Sequence, residues 1–340
     1  MSDTDLLLLK GGEIDHLLAS QETAIMAAVG AAYQAHARGQ TGMPPDSYLR
    51  FPGLEKERII SKAAYLGGDF DVAGIKWIAS FPSNVEKGME RASATLILNS
   101  TETGRPMAIM ESSLISAKRT AASAALGAKA LCPRDDVTAV GLVGCGMINF
   151  EILRFLLTAY PSVHTVHVFD LSAERATQFA GRAGRLKTGL RFDVATSLDA
   201  VLAATPLVSL ATTAVVPHIT SPDACSEGAV LLHISLRDLS ADIILAGDNV
   251  VDDFDKVCSN NTSLHLAQLT VGHRDFIRTT IGDHLNGHAP PAGDKPYAIY
   301  SPFGLGILDL ALAHLVYREA QAQSVGTAID HFLPPSWLER

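Results

Sequence analysis

The chain has 340 residues, 47% of them hydrophobic, so it is an ordinary folded protein long enough for two domains. A formal charge of −9 disfavours a nucleic-acid partner. Apolar runs stop well short of the roughly 18 residues a membrane span needs, and the acidic start MSDTDLLLLK is unlike a secretory signal, so a cytoplasmic protein with no membrane partner is expected.

Residues 22–39 (ETAIMAAVGAAYQAHARG) have the period of an amphipathic helix. Five β-rich runs follow: SYLRF (47–51), RIISKAAYL (58–66), AGIKWIASF (73–81), ATLILNS (94–100) and GRPMAIMES (104–112). The turn residues FPG, LGGD, FPSN and TETG separate them, which predicts a β-meander or an open barrel. An Ala-rich helix, SAKRTAASAALGAKAL (116–131), leads onward.

From residue 137 strands and helices alternate. VTAVGLVG is a strand, MINFEILRFLLTAY a helix stopped by Pro161, VHTVHVFD a strand, and SAERATQFAGRAG a helix opened by Ser172. Further strands lie in RFDVAT, LVSLATTA, AVLLHISL and NVVDDF, with a helix in LDAVLAA. This alternation predicts an α/β class with a doubly wound parallel sheet. The last helix, GILDLALAHLVYREAQAQ (306–323), is expected to return to the first domain, which makes the sheet domain an insertion. The expected boundaries are 1–132, 133–300 and 301–340.

Cys132, Cys145, Cys225 and Cys258 form no pairing pattern and read as core or loop thiols. His284 and His288 lie four apart in GDHLNGH, but Gly287 and the prolines beyond point to a loop, so no metal site is expected.

In GLVGCGMIN, Gly144 and Gly146 hold the first two positions of a Gly-x-Gly-x-x-Gly fingerprint, and Asn149 stands at the third. Gly144 permits the tight turn, while Gly146 lets the backbone of Cys145, Met147 and Ile148 approach a pyrophosphate at a helix N-terminus. The second strand ends in Asp170, 24 residues beyond Gly146, where a carboxylate binds ribose hydroxyls and repels a 2′-phosphate. NAD is therefore the expected cofactor, in preference to NADP. Arg175 reads as a solvated charge.

Two cations stand out in the first domain. Lys76, flanked by Ile75, Trp77 and Ile78, needs an anionic partner or a shifted pKa. Arg119 reads as a first-turn residue of the Ala-rich helix, where the dipole opposes a cation unless an anion joins it. Lys118 should point away into solvent. Lys76 and Arg119 together describe a carboxylate clamp.

The motifs GIKWIASFPSN, ETGRPMAIMESSLISAKRTAAS, GLVGCGMIN and SPFGLGILDLALAHLVY resemble the ornithine cyclodeaminase/μ-crystallin family over nearly the whole chain. That resemblance implies a homodimer with a substrate and dimerisation domain and an NAD(P)-binding Rossmann domain, acting at an amino or imino carbon beside a carboxylate. It matches Lys76 and Arg119 to the family's substrate-binding pair. Two positions depart: LLHISLRDLS has Arg237 where cyclodeaminases have an acid, with Asp238 next, and Asp46 or Ser47 replaces an early arginine, with Arg50 nearby. YLGGDFDVAGIKWIASFPSN, RASATLILN and ISLRDLS resemble the subgroup that serves 2,3-diaminopropionate synthesis in siderophore and peptide-antibiotic pathways. The implied substrate is N-(2-amino-2-carboxyethyl)-L-glutamate, oxidised with NAD.

A tricarboxylate fits the added positive charge of Arg50 and Arg237, which a diamine would resist. Arg237 alternatively pairs with Asp238 or Asp242 as a structural bridge. Further expectations are Lys76 as proton-transfer group, Asp238 as water activator, and Thr120 beside Arg119 at the carboxylate. Thr212, Thr213, Gly304 and Gly306 are the candidate nicotinamide neighbours. Other activities of the same family, or a ligand-binding protein without chemistry, remain the alternatives.

Overall fold

A computed structural model describes residues 5–221, 225–334 and 337. The chain divides into two compact units, Met1–Arg119 with Leu305–Arg340, and Thr120–Gly304. These divisions fall at 119 and 304 rather than at the expected 132 and 300, and the helix Ser113–Leu131 runs through the first of them.

The first unit is built on an eight-stranded sheet. Its centre is an antiparallel meander of Leu54–Leu66, Val72–Ser80, Ala92–Ser100 and Pro106–Glu111, with Ser47–Phe51 paired to the first of these. Leu6–Leu9 adds in parallel to Pro106–Glu111, and Thr327–Ile329 closes that edge. The helix Gly306–Gln323 lies on one face. Gly306 and Gly74 permit this close packing: a Cβ on Gly306 would meet Ala64 at 3.3 Å, and one on Gly74 would meet Leu310 at 2.9 Å. Packing thus accounts for Gly306, which sequence had offered as a nicotinamide neighbour.

The second unit carries the other eight-stranded sheet, parallel throughout. Its order is Arg191–Val194, Thr165–Phe169, Ala139–Val143, Leu207–Leu210, Ala229–His233, Tyr297–Ser301, Asp248–Val251, Ile277–Thr280. The order reverses between Ala139–Val143 and Leu207–Leu210, the switch point beside which open α/β sheets bind ligands at the strands' carboxyl ends. Each of the four central strands is mostly apolar and buried, as a sheet covered on both faces requires. Among the described residues no helix is long and apolar enough to cross a membrane.

Candidate active site

The nucleotide-type turn is held by its own side chains. Gly144 has φ +91°, and a Cβ there would lie 2.5 Å from the Ala211 carbonyl oxygen, so only glycine fits. Gly146 caps the helix Met147–Ala159 with no side-chain cap, and a Cβ on it would meet nothing within 4 Å. The first-turn amides of Met147 and Ile148 therefore border open space at a positive helix end, which fits a pyrophosphate. Asn149, fully buried, does what a third glycine does not: its Nδ2 donates to the carbonyls of Val143 (2.9 Å) and Gly144 (2.7 Å), and its Oδ1 accepts from Ser209 Oγ (2.7 Å). Asp170 accepts from the amides of Cys145 (2.9 Å) and Ser172 (3.0 Å), which fixes it beside the turn. Arg175 is exposed.

At the same carboxyl edge Asp238 is fully buried and accepts from Thr212, Ser235 and His218 (3.1 Å to Nε2), while its amide donates to His233 Nε2 (3.2 Å). Burial alone would raise the Asp238 carboxyl, but His233 and the three donors outweigh it and hold the group below the ordinary carboxylate range. Burial, helped by Arg237 and His218 against the pull of Asp238, brings His233 down to about 4, so its imidazole is neutral. The expectation that Asp238 activates water directly is corrected: a sealed, stabilised carboxylate is a poor base. Its route to solvent is His218, whose side chain is 40% exposed. Thr213 is exposed. Arg237 is half-buried and donates to the Asn260 carbonyl at 2.7 Å. The Gly304 amide, at φ +89°, donates to Asp252 (2.7 Å).

The first unit holds the clamp cations around a buried acid, Asp309. Lys76 Nζ lies 2.7 Å from Asp309 Oδ2, and Arg119 Nε lies 3.0 Å from Asp309 Oδ1. Ser116 Oγ accepts from both Lys76 (3.1 Å) and Arg119 (3.3 Å). Asp309 sits in the first turn of its helix, where the dipole favours a carboxylate. Lys76 and Asp309 are each about 1% exposed, whereas Arg119 keeps 11%. Burial, with Arg119 and Lys62 nearby, brings the Lys76 ammonium down to about 7 although Asp309 opposes the shift. Burial would raise Asp309, but Arg119 and Lys76 hold it low.

Two expectations about the Ala-rich helix need correction. It starts at Ser113, so Arg119 lies in its second turn; the N-terminus is already capped by Glu111, which accepts from the amides of Ser113 (2.6 Å) and Leu114 (3.2 Å). The anion that Arg119 needs is Asp309. Lys118 is buried, not solvated, because the helix is packed on more than one side. Thr120, the next residue, opens the second unit and is half-buried. Arg50 is exposed, with its guanidinium carbon 5.9 Å from the Tyr48 ring centre.

The ornithine cyclodeaminase/mu-crystallin family matches residues 7–324. N-((2S)-2-amino-2-carboxyethyl)-L-glutamate dehydrogenase of Staphylococcus aureus is 30% identical over 336 residues, covering 96% of this chain and 98% of that protein. Alanine dehydrogenase of Archaeoglobus fulgidus is 28% identical, covering 96% and 99%. Among solved structures, an archaeal alanine dehydrogenase dimer with bound NAD superposes with a TM-score of 0.85 at 27% identity, over 96% of this chain and 99% of that one.

Proposed function

The chain belongs to the ornithine cyclodeaminase/mu-crystallin family, and on that premise we propose that it is an NAD-dependent oxidoreductase converting N-(2-amino-2-carboxyethyl)-L-glutamate to 2-oxoglutarate and L-2,3-diaminopropionate. The observation that carries the reading is the buried group in which one carboxylate, Asp309, serves two cations, Lys76 and Arg119. While Lys76 is protonated the group carries a surplus positive charge, which is relieved when a substrate carboxylate reaches the Arg119 guanidinium.

Gly144, Cys145, Gly146, Met147 and Ile148 would cradle the NAD pyrophosphate and Asp170 the ribose, with Thr212, Thr213 and Gly304 toward the nicotinamide. Bound NAD supplies the hydride acceptor. The substrate's secondary amine must be neutral when its Cα–H bond breaks. Lys76, a neutral amine over half the time above about pH 7, takes that proton by swinging its flexible stem away from Asp309. Hydride loss leaves a C=N bond, and water adds to its carbon. His218, oriented through Nε2 by Asp238, takes a proton from water as its oxygen bonds to the carbon and returns it to the nitrogen. The C–N bond then cleaves as the hydroxyl gives up its proton, leaving the keto acid and the neutral amine of the diamine. Arg237 holds a further carboxylate.

The deciding experiment supplies NAD or NADP with the tricarboxylate, with ornithine, or with no substrate. Equal yields of NADH and 2-oxoglutarate from the tricarboxylate, with NAD preferred, are expected. Proline from ornithine, or binding without turnover of any substrate, overturns the reading in favour of a cyclodeaminase or a non-catalytic binding protein. The product suits siderophore or peptide-antibiotic assembly in the cytoplasm.

The protein acts as a homodimer in this reading. One face of the first unit's sheet exposes Leu49, Tyr65 and Trp77, at 45%, 41% and 46%, beside half-buried Ile59, Ile75 and Ile97. An apolar sheet face of this kind suits a second copy. Trp77→Glu should shift the protein to monomer in light scattering; an unchanged mass places the interface elsewhere.

A further inference from the structure

Alternation along the paired strands puts Arg58, Ile60 and Lys62 on the face that carries Lys76, opposite to Trp77. Lys62 is directly across from Lys76, and Arg58 is across from Ser80 and, on its other side, from Arg50. Arg91 joins them by donating to Ser80 Oγ at 3.0 Å. Three arginines thus meet at one end of the face. Arg91 keeps an exposed edge, and partial desolvation and then Arg58 lower its guanidinium.

The acids of this face are already committed. Asp46 lies 3.0 Å from Lys62, and Asp309 is shared by Lys76 and Arg119. Among the described side chains no carboxylate pairs with Arg50, Arg58 or Arg91, while Asp46 and Asp309 are taken by other cations. Arg58 donates only to its neighbour's carbonyl, that of Lys56, at 3.3 Å. Like charges brought together without a counter-ion on an acidic chain destabilise the fold. Binding an anion offsets that cost.

Resting on the reaction proposed above, we infer that Arg58 and Arg91 form the subsite for the glutamyl side-chain carboxylate and set the preference for a polyanionic substrate. Arg58 precedes Lys62 by four residues, about 13 Å of extended strand. Its guanidinium rests on the Lys56 carbonyl, so the subsite forms when the side chain leaves that carbonyl and swings back along the strand. Ile60 and Ile78, cross-strand partners between the two cation groups, give an apolar floor for the intervening methylenes. Of the two carboxylates left once Arg119 holds the α-carboxylate, that of the diaminopropionyl end has an ammonium beside it, which a cluster of arginines repels more strongly than the single Arg237 does. The side-chain carboxylate has none, so it takes this subsite.

The test compares wild type, Arg58→Ala, Arg91→Ala and Arg58→Lys on the tricarboxylate and on its analogue with alanine in place of glutamate. Each alanine variant should raise KM for the tricarboxylate about tenfold, leaving KM for NAD near wild type and melting temperature at or above it. The wild type should disfavour the analogue, the alanine variants should discriminate little, and the lysine variant should recover part of the preference. Equal losses on both substrates overturn the inference. Calorimetry with citrate as an inert tricarboxylate separates it from the reaction itself. If wild type oxidises neither compound yet binds citrate in an Arg58-dependent way, the reaction fails and the subsite stands; citrate binding unaffected by Arg58→Ala overturns the subsite whatever the reaction.

Discussion

Lys76→Met should lower kcat/KM for the tricarboxylate by about 10²–10⁴-fold, the range expected when a positioned proton-transfer group is lost. Methionine keeps the length and apolar stem of lysine, and Asp309 retains Arg119 as a partner at 3.0 Å, so the fold survives. Because burial brings the ammonium to about 7, the wild-type kcat/KM should rise with pH through that region as the neutral amine forms. Lys76→Arg sharpens the result. It preserves the cation but stays protonated at every accessible pH, so it should lose kcat and the pH limb together while KM changes little. A structural Lys76 predicts the opposite pattern: lower melting temperatures for both variants, with wild-type kcat in the fraction that stays folded.

How much of this was legible follows from which signals are local. The helices 198–204 and 306–323 and the meander strands are marked by their own residues, runs rich in Ala and Leu in the helices and bounding turns between the strands, and the structure places them close to where those signals do. Leu6–Leu9 and Tyr297–Ser301 are short and almost wholly buried, so they show no alternation. Arg119 was misplaced by a turn because Glu111, outside the helical pattern, supplies the cap. Asn149 read as an imperfect third glycine, since its three hydrogen bonds reach a neighbouring strand and the turn before it. Asp309 had a signal: a lone carboxylate in the apolar run GILDLALAHL demands a cation. Which cation was beyond the sequence, because Lys76 and Arg119 are brought to it from 233 and 190 residues away.

Asp309→Asn should be the most destabilising single change at this site. It removes one charge and leaves two cations, one of them fully buried, with a neutral amide between them, a loss of about 3–5 kcal/mol when a buried pair is broken from one side. The chain relieves part of that cost by releasing the Lys76 proton. Asp309 is what holds the Lys76 pKa up, so in the variant it falls further below about 7. The folded variant then binds fewer protons than the unfolded chain over a wider range, and its stability rises with pH across that range. The deficit relative to wild type should therefore be largest near pH 6 and smaller near pH 9, where Lys76 is neutral in both folded proteins. The pH limb of kcat/KM should move to lower pH for the same reason. An Asp309 that merely favours its helix N-terminus predicts a loss of about 1 kcal/mol or less, the same at both pH values. Thermal unfolding at pH 6 and pH 9 distinguishes the two, and a small, pH-independent deficit would show that the two cations do not depend on this carboxylate.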